Sequence, residues 1–280
     1  VPDDNETDLL FPLPERQPED DEPLVGQIKR AIWTENKAKL IARYLYFFVL
    51  ITKNGAYIDG FAGPQELDKP EMWAAKLVLE FQPKWLRQFH LFEINPKSIQ
   101  QLEELKEAHA DRKVEIYAGD FNARIHELLN ARLIREREAT FCLLDQRTFE
   151  CHWSTLEALA AYKQGRKIEL FYFFPIAWLQ RALAGIKNKQ ILQDWWGRED
   201  WASLFAMSAE KCKEEMVHRF RNELKYWSVK AWPIYRDPQG RSVMYYMIHA
   251  TDHEDAPGQM IRAYNFLPKE PSQQIPLELY

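Results

Sequence analysis

Ala56-Tyr57-Ile58-Asp59-Gly60-Phe61-Ala62-Gly63-Pro64 reads as a short apolar strand that runs straight into a glycine-bearing turn. On either side the pattern switches to helical period: Trp33 to Ile51 before it, closed by Asn54-Gly55, and Trp73 to Phe81 after it. The alternation then repeats. Phe89 to Glu93 is a second strand, and Pro96 opens a helix to His109. Lys113 to Tyr117, Thr140 to Asp145 and Lys167 to Phe174 are further strands, separated by helices over Asn122–Leu133 and His152–Tyr162. Strands that are apolar throughout, each followed by a helix, belong to a parallel sheet buried on both faces. The sequence therefore predicts a doubly wound α/β domain.

The end of the chain changes the pattern. After helices over Ala177–Ala184, Asn188–Trp201 and Ala209–Trp227 come two strands, Val229–Tyr235 and Arg241–Thr251, joined by Arg236-Asp237-Pro238-Gln239-Gly240. Pro and Gly stand there where a tight turn wants them, so the two strands form an antiparallel hairpin. The expectation is a mostly parallel seven-stranded sheet with a C-terminal hairpin and a helical insertion near 177–227. A hairpin after five βα units marks the methyltransferase version of the doubly wound sheet, which favours S-adenosylmethionine over NAD as the ligand.

Charge divides the chain into two parts. Residues 1–23 hold nine acids, one base and five prolines, a composition that reads as an extended acidic arm ahead of a domain over 24–280. The whole chain carries a formal charge of −5, so the domain is slightly basic. No stretch is long and apolar enough to span a bilayer, which takes about 20 residues. Cys142, Cys151 and Cys212 form neither a C-x-x-C pair nor an even framework, which points to free thiols and a cytoplasmic protein.

In an open α/β sheet, ligands sit outside the carboxyl ends of the strands. Asp59, Gly60, Phe61 and Gly63 stand at the end of the first strand, where glycine lets backbone approach a ligand. Glu93 ends the second, where an acid can accept bonds from ribose hydroxyls. Asp120 and Phe121 end the third, where they can meet an adenine amino group and ring. The fourth strand runs into Asp145-Gln146-Arg147-Thr148-Phe149-Glu150-Cys151-His152, which makes Asp145 the first candidate for orienting substrate or accepting a proton, with Glu150 and His152 behind it. Taken singly these are ordinary turns and helix caps; three acids at three successive strand ends are a pattern.

These motifs resemble the three-Cys-motif partner family, bacterial and phage-associated proteins with a methyltransferase-like fold. The resemblance rests on Tyr57 to Pro64, Leu91-Phe92-Glu93-Ile94-Asn95-Pro96 and Gly119-Asp120-Phe121-Asn122, with weaker support from Ile168–Pro175 and Tyr245–His253, and covers about residues 30–267. It implies S-adenosylmethionine binding, methyl transfer, and a partner protein carrying a three-cysteine motif that binds an iron–sulfur cluster. Gln65 and Gln146-Arg147-Thr148-Phe149 stand where relatives carry glycine, and proline followed by an aromatic residue and glycine. Those departures support the rival reading, a non-catalytic adaptor for the three-cysteine protein. Six of the ten tryptophans fall after residue 177 near bases such as Arg181 and Lys189, a pattern that suits single-stranded nucleic acid or, more simply, a core. His249 and His253, four apart on a strand, are too far separated for one metal ion.

Overall fold

The structure, a computed structural model, describes residues 32–33, 37–64, 69–80, 84–236 and 242–266. The acidic arm, Gln65 and most of the hairpin turn lie outside the described residues. The strands are β1 (Ile32–Trp33), β2 (Ala56–Asp59), β3 (Gln88–Glu93), β4 (Val114–Ala118), β5 (Thr140–Leu144), β6 (Glu169–Phe174), β7 (Ser228–Tyr235) and β8 (Val243–Thr251). The helices are α1 (Lys37–Thr52), α2 (Ala74–Glu80), α3 (Pro96–Ala108), α4 (Phe121–Asn130), α5 (Trp153–Ala161), α6 (Leu179–Gly185), α7 (Lys189–Trp196), α8 (Ala209–Asn222) and α9 (Ala256–Phe266). None of these helices is long and apolar enough to cross a membrane.

The strands form one sheet in the order β1-β7-β8-β6-β5-β2-β3-β4. From β4 through β3, β2 and β5 to β6, each strand is parallel to the next. Strand β8 inserts antiparallel between β6 and β7. This is the doubly wound sheet with a C-terminal hairpin that the sequence predicts. Alternate residues enter opposite cores: Cys142, Leu144, Leu170 and Tyr172 on one face, Phe141, Leu143, Phe171 and Phe173 on the other. Because every second side chain must be apolar on both faces, the strands read as unbroken hydrophobic runs. The cores of α4, α5 and the α6–α8 insertion cover the first face; α1, α2, α3 and α9 cover the second.

Two expectations change. The first helix begins at Lys37 rather than Trp33, and Ile32–Trp33 instead pairs parallel with Ile234–Tyr235. The outer edge of β7 presents unpaired backbone groups, and this short pairing covers part of it, bringing the strand count to eight. Thr34, which the sequence offers as an N-cap for the first helix, lies outside the described residues. The helix expected over Asn188–Trp201 stops at Trp196, because Gly197 adopts φ +70° and its N–H bonds the carbonyl of Gln193 at 2.7 Å. Glycine is required there: an added Cβ would lie 2.3 Å from Cβ of Trp153. A 3₁₀ segment over Glu199–Phe205 follows.

The late tryptophans are largely core. Trp195, Trp196 and Trp232 are fully buried, and Arg219, also fully buried, stacks on Trp153 while pairing with Glu223. The three cysteines are buried and unpaired, and desolvation raises the pKa of each thiol.

Candidate functional site at the carboxyl ends of the strands

The sheet runs outward in opposite directions from the β2–β5 pair, with β3 and β4 on one side and β6 on the other. A crevice is expected at such a reversal. Asp59, the last residue of β2, stands at its floor. Its carboxylate accepts from the Tyr57 hydroxyl at 2.8 Å and from Phe61 N–H at 3.2 Å. Burial nevertheless dominates and raises its pKa to about 7, opposed by those two bonds and reinforced by the charges of Asp145 and Glu93.

Beyond Asp59 the chain folds back across β3. Ala62 N–H bonds the carbonyl of Phe92, and the Trp73 indole N–H bonds the carbonyl of Ala62. This brings Gly63 onto Glu93. The Glu93 carboxylate accepts from Gly63 N–H at 2.8 Å through one oxygen, and from Ile94 and Asn95 N–H through the other. A Cβ at Gly63 would lie 2.2 Å from Glu93 Oε2, so this close approach demands glycine.

Asp120 follows β4 and caps α4, accepting from Asn122 N–H at 3.1 Å and from the Asn122 side chain at 3.0 Å. Both bonds fall on Oδ1. The carboxylate is exposed, whereas Phe121 is buried and packs edge-on to Phe92, with Phe61 beside it. Phe121 thus belongs to the floor of the site. Asn122 ties this corner to the loop after β5: its amide donates to the Glu150 carbonyl and accepts from His152 N–H and the Thr155 hydroxyl. Glu150 and His152 therefore join Asp120, with Glu150 accepting from Thr148 N–H at 2.6 Å.

Asp145 is separate from that pair. It lines a cleft together with Asp59, Phe61, Ala62, Gly63 and, opposite, Trp73. The cleft is narrow: its open space of about 240 Å³ includes the solvent at its mouth. Both Asp145 oxygens lie 2.7 Å from Nζ of Lys37, the first residue of α1, and both side chains are buried. The ammonium sits over the rings of Phe173 and Tyr245 at 4.8 and 5.1 Å. Burial, helped by the Asp145 charge, pushes the Tyr245 hydroxyl up to about 12.

Lys37 escapes a sequence reading focused on strand ends. Only the structure puts Lys37 at the start of the helix, where a cation opposes the helix dipole and calls for an anion. Among the described residues no group of three His, Cys, Asp or Glu side chains could hold a metal. His249 is instead buried against Glu169.

The residues at these strand ends suit a nucleoside. Glu93 and Asp120 are acceptors for hydroxyl and amino donors, and Gly63 keeps the approach narrow.

No protein-family model matches the chain, and no curated protein does. Several solved structures are similar to it in part. TYW2 of M. jannaschii, solved in complex with AdoMet, is 14% identical with a TM-score of 0.42, over 81% of this chain and 78% of that one. Wild-type Trm5b from Pyrococcus abyssi is 13% identical with a TM-score of 0.41, over 80% of this chain and 51% of that one. A dimethyladenosine transferase from Plasmodium falciparum is 9% identical with a TM-score of 0.38, over 81% of this chain and 64% of that one. Likeness at this level carries no argument; the chemistry of the site rests on its own geometry.

Proposed function

We propose that this chain binds S-adenosylmethionine across the carboxyl ends of β5, β2, β3 and β4 and transfers its methyl group, as a member of the three-Cys-motif partner family. The observation that carries this reading is the order of the acids along the edge: Asp145, Asp59, Glu93 and Asp120 stand at or just beyond the ends of four adjacent strands. Three strand spacings separate the first from the last, about 14 Å, a span that suits a nucleoside bearing an amino-acid tail. When bound, S-adenosylmethionine supplies an electrophilic methyl group on a sulfonium.

The chain's own residues bind and orient. Glu93 Oε2 accepts one backbone bond and retains capacity for a hydroxyl donor; a second hydroxyl would take the place of Gly63 N–H. Asp120 Oδ2 accepts no bond among the described residues and suits an amino group. Asp145 lines the cleft and acts through charge, whereas Glu150 and His152 support the Asp120 corner through Asn122. Calorimetry tests the reading. S-adenosylhomocysteine should bind the wild type and lose at least tenfold in affinity on Glu93→Ala, while NAD should give no heat. NAD binding at the same site would replace this function with a dehydrogenase.

The adaptor reading has its own support in the narrow cleft and in the Lys37 ion pair that already engages Asp145. It expects the chain to co-purify with the three-cysteine protein with no nucleoside retained by either. Single-stranded nucleic acid is a further partner under that adaptor reading, to be tested by titrating labelled oligonucleotides into the chain.

A further inference from the structure

At the other end of the sheet, the loops leading into β2 to β7 are basic. Segments 53–55, 84–87, 109–113, 131–139, 162–168 and 225–227 hold twelve lysines and arginines against three acids, in a chain whose formal charge is −5. The three acids tie the loops into one surface. Asp111 pairs with Lys84, Glu138 accepts from Nε and Nη2 of Arg87 at 2.6 and 2.7 Å, and Glu136 accepts from Gly165 N–H at 2.9 Å. Lys167 donates to the carbonyl of Lys225 at 3.0 Å and also pairs with Asp252, beyond which Glu254 and Asp255 bound the surface. Left facing outward are Lys113, Arg132, Arg135, Arg137, Arg166 and Lys225, all exposed and, among the described residues, without a side-chain hydrogen bond or ion pair. Helix dipoles account for a cation at Arg132 and Lys225, which closely follow α4 and α8. They do not account for Lys113, Arg135, Arg137 and Arg166, which lie five or more residues past the ends of α3, α4 and α5, because the effect fades within the last turn. Trp85 belongs to the same surface, 39% exposed, with Nζ of Lys53 5.1 Å from its ring centroid.

We infer that this face, at the amino ends of the strands, binds the phosphate backbone of single-stranded nucleic acid while Trp85 stacks on a base. The inference rests on the nucleic-acid part of the adaptor reading and is independent of the cofactor. From β4 to β6 the face spans four strand spacings, about 19 Å, whereas successive phosphates of a stacked strand advance about 3.4 Å, so several can be met at once. Four of the six outward bases are arginines, whose planar fork matches two phosphate oxygens. An acidic peptide would find the same charges, but an exposed indole among them offers a stacking surface that only a nucleobase uses fully. The length of the strands separates this face from Asp59, Glu93 and Asp120, so a strand bound here is held by the protein without being presented to the site at the carboxyl ends.

Fluorescence anisotropy of a labelled single-stranded oligonucleotide, titrated with the full chain between about 50 and 200 mM salt, tests this. Arg132→Gln/Arg135→Gln/Arg137→Gln should lose at least tenfold in affinity at the lowest salt. It should also flatten the slope of log affinity against log salt by about 2, at about 0.7 per phosphate contact. Trp85→Ala should lose about fivefold or more with the slope unchanged. The variant Arg181→Gln/Lys187→Gln/Lys211→Gln removes as much charge from exposed positions on the helical insertion and should stay within about twofold. Polyglutamate should compete at least tenfold more weakly than unlabelled oligonucleotide. Each variant is checked for a cooperative thermal transition; should the first fail to fold, Arg137→Gln alone takes its place, with the slope expected to fall by about 0.7. Equal losses in the two triple variants, or a loss only in the insertion, overturn the inference and leave nucleic acid as a partner. Polyglutamate that competes as well as the oligonucleotide assigns the face to an acidic protein segment and overturns it too. Wild-type protein that binds no oligonucleotide at the lowest salt overturns the nucleic-acid reading and the inference with it.

Discussion

Helix α1 delivers two side chains to two buried carboxylates at opposite ends of the sheet, and the two sites behave differently. Seven residues apart, Lys37 and Tyr44 lie on one face of the helix, about 10 Å from each other along its axis. Tyr44 donates to Glu169 at the start of β6, whose carboxylate also bonds His249 Nε2 at 2.8 Å and the Thr251 hydroxyl at 3.2 Å. All four side chains are buried in the core. Lys37 reaches Asp145 at the other end, where the second carboxylate, Asp59, has only two bonds to offset its burial and where a cleft opens. A buried acid surrounded by partners fixes a fold. A buried acid on a cleft wall borders space that a ligand can enter, and that difference, rather than burial itself, marks the candidate site.

The largest effect should come from the closed end. Glu169→Ala leaves His249, Tyr44 and Thr251 without their common acceptor and should cost about 3–5 kcal/mol in urea denaturation. Affinity of the folded fraction for S-adenosylhomocysteine should not change. A change in affinity would break the distinction between the two ends.

The open end should show itself in pH. The pKa of Asp59 is raised in the folded chain to about 7 from its ordinary value near 4, so between those values the folded state holds a proton that the unfolded state has released. Its contribution to stability is therefore present below about pH 4 and lost as pH rises through about 7. Asp59→Asn cannot titrate, so wild-type stability relative to it should fall by roughly 3–4 kcal/mol across this window. Parallel stability curves for the two proteins would show that Asp59 is as well compensated as Glu169.

Smaller effects sharpen the picture along the site. Glu93→Ala removes the acceptor of three backbone N–H groups and should lower stability by about 1–2 kcal/mol, since water can replace part of what is lost, alongside the tenfold fall in affinity. If stability falls and affinity does not, Glu93 is a loop anchor only. Asp120→Ala deletes a helix cap and should cost about 1 kcal/mol, read from the melting temperature. Asp120→Asn, which can still cap, should restore stability while weakening binding of an adenine amino donor.

Much of this was legible in the chain itself. The two-faced burial of the parallel strands forces continuous apolar runs, and Asp59, Glu93 and Asp120 follow those runs directly, so fold class and the line of acids could be read together. The hairpin was legible because its alternation and turn residues are local. The end of α7 was misread although Gly197 stood in plain view, because a glycine inside a helical pattern signals a stop only when its φ is known. Ile32–Trp33 was misread because two residues carry no period, and their pairing depends on a β7 edge some two hundred residues away.

Sequence alone determined what depends on neighbours in the chain: the alternation of strands and helices from β2 onward, the hairpin, the cap at Asp120, and the residue types at each strand end. Tertiary structure decided which of those residues meet. It divided the loop after β5 between Asp145 in the cleft and Glu150 with His152 beside Asn122. It brought Gly63 onto Glu93 across thirty positions and Lys37 onto Asp145 across more than a hundred. The physical reason is that periodicity and propensity act over a few residues, whereas an ion pair is selected by burial and charge at a place that exists only once the sheet has formed.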